Sequence, residues 1–165
     1  MALNIRTVQP KDAKALREIY APYVETTWVT FETEVPDVEE IRRRVETYHF
    51  QLGFPYYVAE QGGETVGYAY AHPFHERAAF RYTAETSVYV KQGFEGSGIG
   101  TKLYQVVLND LKQSGFHKVI AILGYPNEAS KRFHEKLGFR ETGVLHEVGY
   151  KFDCWLDAGY FEKVL

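Results

Sequence analysis

Cysteine is nearly absent from this 165-residue chain, with Cys154 the sole example. One thiol cannot close an internal disulfide, so the sequence reads as a cytoplasmic protein in a reducing compartment. Long apolar runs are missing too. None nears the roughly 20 residues of a membrane-crossing helix, and the opening MALNIRTVQPKDAK has no apolar signal block. Positive charge is not in excess either. With 19 Lys+Arg against 22 Asp+Glu the formal net charge is -3, and the basic excess or stripe expected of a nucleic-acid binder is lacking. Repeats, low-complexity tracts and Pro/Gly/Ser-rich linkers are absent, which predicts a single domain over residues 1–165. At 45% hydrophobic and 25% charged, the composition is that of a globular protein with enough chain to bury a core. Aromatic residues are plentiful, at 16% of the chain, and 13 residues are tyrosine. Such a surplus often lines a pocket or a subunit interface.

The pattern of apolar residues predicts a mixed order of elements. Leu3 to Val8 alternates as a strand. Pro10 and Asp12 open a helix with Leu16, Ile19, Tyr20, Tyr23 and Val24 on one face. Asp37, with Glu40 three residues on, caps a second helix carrying Val38, Ile41, Val45 and Tyr48. YYVAEQ and ETVGYAYAH flank Gly62-Gly63, a hairpin signal, and RYTAETSVYV (81–90) adds a third strand. A helix follows from about Ser97 to Ser114, then the apolar run HKVIAIL (117–123), as in a strand buried on both faces. Pro126-Asn127 opens a helix through Lys136, with Gly138 as its cap. The rest reads as two strands around a turn near Gly149. The fold class expected is α/β (α+β): a mixed sheet with helices on both faces, in the order βααβββαβαββ.

The stretch VYVKQGFEGSGIGTK (88–102) is the most informative. A strand runs into Gly93, Gly96, Gly98 and Gly100, and a helix begins at once. Glycines admit positive φ and let backbone N–H groups approach a ligand. Together with the positive end of the helix, those groups form an anion pocket. A tight turn that needs glycine for packing alone is the competing reading; four glycines in residues 93–100 exceed that need. The order Gly100-Thr101-Lys102 misplaces the lysine of a P-loop. The dinucleotide pattern G-x-G-x-x-G fails because position 101 is threonine. A loop cradling the pyrophosphate of coenzyme A remains.

Glu95-Gly96-Ser97-Gly98-Ile99-Gly100 resembles the hallmark (Gln/Arg)-x-x-Gly-x-(Gly/Ala) of the GNAT superfamily of N-acetyltransferases, with Glu95 replacing the usual Gln or Arg. Nearly end to end, the chain is similar to the phosphinothricin N-acetyltransferase family. The matching stretches are TFETE (30–34), GYAYAHPF (67–74), TAETSVYV (83–90), YPNEASKRFHEKLGF (125–139) and GYKFDCWLD (149–157). The resemblance implies a mostly antiparallel GNAT-like sheet whose fourth and fifth strands splay apart. It also implies acetyl-CoA as co-substrate, its pyrophosphate on the amides of Gly96, Ser97, Gly98, Ile99, Gly100 and Thr101. The pantetheine arm would lie along Val88, Tyr89 and Val90 like another strand, with Asn127 and Ser130 also contributing to the cofactor site.

Glu85 matches the family's general base, which takes the proton from the attacking amine; an outward-facing strand glutamate is the alternative. Asn127 also reads as a helix cap. His134 stands where many relatives carry a tyrosine that protonates the departing thiolate; an imidazole can do so, and a helix-surface histidine is the equal alternative. Phe31, Glu32, Arg77, Phe80 and Tyr82 fall in stretches that line the amine pocket of similar enzymes. Arg77 suits a carboxylate or phosphinate clamp or a solvated loop, and Phe80 stands where relatives often have tyrosine. No metal is expected: no H-E-x-x-H zinc site is present, and His72 and His75 lack further ligands in the sequence. Cys154 reads as a structural strand residue. The expected protein is a homodimeric acetyltransferase for a small-molecule amine of phosphinothricin, methionine sulfoximine or sulfone type, working by direct attack in a ternary complex. The alternatives are another amine (a polyamine, an amino sugar, a protein N-terminus) or a non-catalytic acyl-CoA sensor.

Overall fold

A computed structural model describes all 165 residues. Seven strands form one sheet in the order β1-β2-β3-β4-β5-β7-β6. They are β1 (Leu3–Thr7), β2 (Tyr56–Gln61), β3 (Glu64–Pro73), β4 (Thr83–Val90), β5 (Lys118–Tyr125), β6 (Arg140–Lys151) and β7 (Cys154–Val164). Four helices connect them: α1 (Ala13–Thr26), α2 (Val38–Val45), α3 (Ile99–Gln113) and α4 (Glu128–Lys136). The order is the expected βααβββαβαββ. All pairings are antiparallel except β4 with β5.

Alternation along the strands sorts their side chains into two cores. On one face Ala59, Val66, Ala69 and Ala84 meet Leu103, Val107 and Leu111 of α3. Each of the larger α3 side chains contributes about 1.5–3 kcal/mol by leaving water. On the other face Val58, Tyr56 and Tyr68 meet Leu16, Ile19 and Val24 of α1 and Ile41 and Val45 of α2. Much of the tyrosine surplus fills this second core. Tyr56 stacks on Tyr70 at 4.7 Å and on Tyr68 at 6.2 Å, and Tyr89 meets Tyr20 edge-on at 4.9 Å.

Local signals explain most boundaries. Asp37 accepts a hydrogen bond from the Glu40 amide and caps α2. Gly62 and Gly63, both at positive φ, close the β2–β3 hairpin. Two differences from expectation stand out. Residues 46–51 continue α2 as a wider π-helical coil that carries Tyr48 out to β3. The last hairpin turns at Phe152-Asp153, both left-handed (φ 52° and 57°), and Gly149 lies inside β6 opposite Leu156. The irregularity near Gly149 is a bulge between Leu145 and Gly149, where Glu147 has φ 53°. No helix is long and apolar enough to cross a membrane.

Candidate active site

The parallel joint between β4 and β5 is short. Thr83, Ala84 and Glu85 pair with Lys118, Val119 and Ile120, and no rung follows. The remainder of β4, residues 86–90, faces a notch, as expected for strands that splay. Three cavities occupy it. The outermost, about 550 Å³, is lined by Val88, Val90, Gly96, Gly98, Ile99, Gly100, Thr101, Asn127, Ser130 and Phe133. A passage of about 110 Å³ between Thr86, Ser87, Ile122 and His134 shares Val88, Ser130 and Phe133 with it. A third, about 350 Å³, holds Glu85 and Phe31 and shares Ser87, Tyr89 and Ile122 with the passage. Val29 lines all three. The arrangement is a channel through the sheet, from the glycine loop to Glu85.

The loop fits a pyrophosphate. Gly98 is the N-cap of α3 with φ 82°, a backbone state that only glycine adopts freely, and it aims the first α3 amides into the outer cavity. An added β-carbon on Gly96 or Gly98 would meet nothing within 4 Å, so the backbone there borders open space. Glu95 lines the same cavity, but its carboxylate turns back to accept the Gly93 amide at 2.6 Å. The backbone amides are therefore left to the ligand. Ser97 Oγ donates to the Phe94 carbonyl at 2.5 Å and closes the loop. Asn127 caps α4 by accepting from the Ser130 amide.

Alternation on β4 splits the chemistry between faces. Glu85, Ser87 and Tyr89 project toward α1 and α2; Ala84 and Thr86 are buried on the α3 side. Burial raises the Glu85 carboxyl above the usual range, and the neighbouring His72 and His75 offset only part of that rise. His72 Nε2 lies 3.3 Å from Glu85 Oε2. On the opposite face, Tyr104 shares a 2.5 Å hydrogen bond with Thr86 Oγ1, and its hydroxyl is 3.4 Å from His134 Nε2. His134 Nδ1 donates to the Ser130 carbonyl at 2.7 Å, which leaves Nε2 as the acceptor. His134 is 4% exposed, not a surface histidine, and burial lowers its pKa.

The expected acceptor residues divide. Phe31 shares a cavity with Glu85. Arg77 and Phe80 line a separate cavity of about 930 Å³ beyond the end of β3, together with Tyr48, His72 and His75. Glu32 is committed elsewhere, paired with Arg44 at 2.5 Å and accepting from the Tyr20 hydroxyl. Tyr82 is 53% exposed under the Arg81 guanidinium and lines none of these cavities. Sequence reasoning missed Thr86, Tyr104, Val29 and the contact of His72 with Glu85. The strand period alone would have set Thr86 and Glu85 on opposite faces; the other contacts join residues distant in sequence. No group of three or more His, Cys, Asp and Glu is placed to hold a metal.

Comparison with known proteins fits this geometry. Residues 5–159 match the acetyltransferase (GNAT) domain family. The chain is 36% identical to the phosphinothricin N-acetyltransferase of Streptomyces viridochromogenes, over 98% of this chain and 87% of that one. It is 33% identical to the L-methionine sulfoximine/L-methionine sulfone acetyltransferase of Salmonella typhimurium, over 99% and 95%. Among solved structures, a GNAT superfamily phosphinothricin acetyltransferase from Sinorhizobium meliloti in complex with acetyl-CoA superposes with a TM-score of 0.95. That match has 32% identity and covers 100% of this chain and 89% of that one. This chain therefore belongs to the GNAT superfamily of N-acetyltransferases, alongside the phosphinothricin N-acetyltransferase family.

Proposed function

We propose that the protein transfers the acetyl group of acetyl-CoA to the amino group of a small amino-acid-like substrate, by direct attack in a ternary complex. The observation that carries this reading is the channel, with anion-binding amides at one mouth and a half-buried carboxylate at the other. The thioester supplies an activated acetyl group. The amides of residues 96–101 hold the pyrophosphate, and the edge of β4 at Val88–Val90, which no strand pairs and whose Val90 carbonyl accepts from the Tyr23 hydroxyl at 2.6 Å, lies beside the pantetheine arm. Tyr89 contributes backbone only, since its ring is packed against Tyr20 and Tyr23. Asn127 and Ser130 close the α4 side.

Glu85 takes the proton from the attacking nitrogen, the role suited to a carboxylate whose burial brings it nearer neutrality. Thr86, Tyr104 and His134 form the hydrogen-bonded chain on the leaving-group side. His134, neutral at rest with Nε2 unprotonated, takes up a proton at Nε2 from water in the passage and gives it to the departing sulfur as the C–S bond breaks, returning to the neutral imidazole. Phe31 packs against the substrate's apolar part, and Arg77 and Phe80 border the neighbouring cavity as a recognition surface for a carboxylate or phosphinate. Phosphinothricin, methionine sulfoximine and methionine sulfone are the first acceptors to test, since they name the activities of the relatives. The whole chain works as one domain. The exposed Leu145, Val148, Tyr150, Phe152 and Trp155 on β6, β7 and the turn between them form an apolar face that suits a homodimer. The unpaired, exposed Cys154 suits the reducing cytoplasm.

Free-thiol release from acetyl-CoA, measured against these three compounds, a polyamine, an aminoglycoside and a short peptide, tests the reading. Saturable turnover on the amino-acid analogues, with an N-acetylated product by mass, supports it. Turnover confined to another amine discards the substrate class. Cofactor binding without turnover on any of them leaves an acceptor outside the panel or an acyl-CoA sensor.

A further inference from the structure

We propose that His72 carries the substrate's proton away from Glu85 and delivers it to the cavity beyond the end of β3. The proposal rests on the reading of Glu85 as general base. Such a base, enclosed in the acceptor cavity, must be cleared of its proton in every turnover. During the reaction that cavity holds substrate and then product, so a separate exit is useful.

The geometry provides one. His72 on β3 is the register partner of Glu85 on β4, and Nε2 lies 3.3 Å from Oε2. His72 Nδ1 is 3.0 Å from the Pro73 carbonyl. A carbonyl only accepts, so Nδ1 keeps its hydrogen and Nε2 presents its lone pair to Glu85. Tyr48 stacks on the imidazole at 5.2 Å, and Tyr70 flanks it at 6.0 Å. Glu85 lines the 350 Å³ cavity and His72 the 930 Å³ cavity, and neither lines the other's. The contact thus bridges two compartments. The titratable and charged groups around His72 are Glu85, Tyr48 and Tyr70, with His75, Glu76 and Arg77 on the same cavity.

The steps balance. The ammonium N–H bond breaks as the Glu85 O–H bond forms, leaving the amine lone pair for attack. Glu85 O–H then breaks as Nε2–H forms, giving carboxylate and imidazolium. Nε2–H finally gives its proton to water of the 930 Å³ cavity, and both groups return to their starting state. Burial raises the Glu85 carboxyl, and the charged form of His72 is the first of two histidines that lower it, so at acid pH removing the imidazole shifts the carboxyl upward.

The test uses the full-length enzyme with whichever amine it turns over, comparing Glu85→Gln, His72→Ala, His72→Gln and the pair Glu85→Gln/His72→Ala. For His72→Ala the expected result is a kcat loss of about 10- to 100-fold, with acetyl-CoA KM within about twofold. The acid limb of its kcat/KM profile moves to higher pH, and added imidazole restores turnover through the vacated space. His72→Gln keeps a planar side chain but cannot relay a proton, so it shows a similar loss. In the Glu85→Gln background, His72→Ala costs nothing further. Full turnover in His72→Gln overturns the relay, as does a His72→Ala loss that imidazole cannot restore and that leaves the pH limb in place. If those results accompany a large loss in Glu85→Gln, the base stands and only the relay falls. Undiminished turnover in Glu85→Gln overturns both.

Discussion

The carbonyl oxygen of Trp28 lies 1.9 Å from where a β-carbon on Gly124 would sit. The loop after α1 is thereby laid directly on β5, and it carries Val29 and Thr30 into the channel wall. Thr30 is pinned by the Tyr20 hydroxyl at 2.6 Å and by Lys151 Nζ, which donates to its carbonyl at 2.9 Å. Gly124→Ala must lift this loop. Overpacking of this kind costs about 1–3 kcal/mol, roughly 2–4 °C in Tm per kcal/mol for a chain of this size. Calorimetry checks the stability, and the acetyl-CoA KM should rise because Val29 lines all three cavities.

Glu85→Gln keeps the shape of the cavity that Glu85 lines and removes the proposed base. The expected effect is a fall in kcat of about 10²- to 10⁴-fold with acetyl-CoA affinity unchanged by calorimetric titration. In the native enzyme kcat/KM should decline as pH falls through a carboxyl value above the usual range, because burial lifts Glu85.

Glu95 brings a negative charge to the wall of the outer cavity while its oxygen is spent on the Gly93 amide. Glu95→Gln can keep that hydrogen bond and drops the charge. A charge near a helix N-terminus is worth about 0.3–1 kcal/mol at low salt. The acetyl-CoA KM should therefore fall by roughly two- to fivefold at low ionic strength. The difference should shrink in about 1 M salt, where the screening length is near 3 Å.

Arg6 holds the buried Asp12 in a two-bond fork at 2.8 and 2.9 Å and reaches Glu60 at 2.6 Å. Burial would raise the Asp12 carboxyl, yet Arg6 and the Gln9 amide outweigh it and leave it below its ordinary value. A depressed folded-state pKa gives stability that is present above the unfolded value and lost as pH falls through the folded one. Urea midpoints should therefore drop on acidification below about pH 4, and less steeply in Asp12→Asn. Arg6→Ala, which strands the carboxylate, should cost about 1.5–3 kcal/mol at neutral pH.

Local rules carried much of the architecture. The Gly62-Gly63 hairpin, the Asp37 and Asn127 caps and the glycine loop before α3 all depend on neighbours within a few residues, so their signals are written contiguously. The Phe152-Asp153 turn was illegible because neither residue announces left-handed backbone as strongly as Gly149, which the bulge at Glu147 draws into β6 instead. At the site, Glu85 and the glycine loop were legible through motifs. The partners of Glu85 and His134 were not, since His72 and Tyr104 reach them across strand register and helix packing. The alternation that hides Tyr82 from the acceptor cavity likewise depends on where the 3-10 turn at Ala78–Phe80 releases the chain into β4.

A seven-stranded sheet whose fourth and fifth members share three rungs is, mechanically, a four-stranded plate and a three-stranded plate meeting along a short seam. The free protein is an unfinished sheet, and a bound pantetheine arm would act as the missing strand. If the arm lies along β4 as proposed, the co-substrate is also a temporary structural member that spans the seam for as long as it is bound.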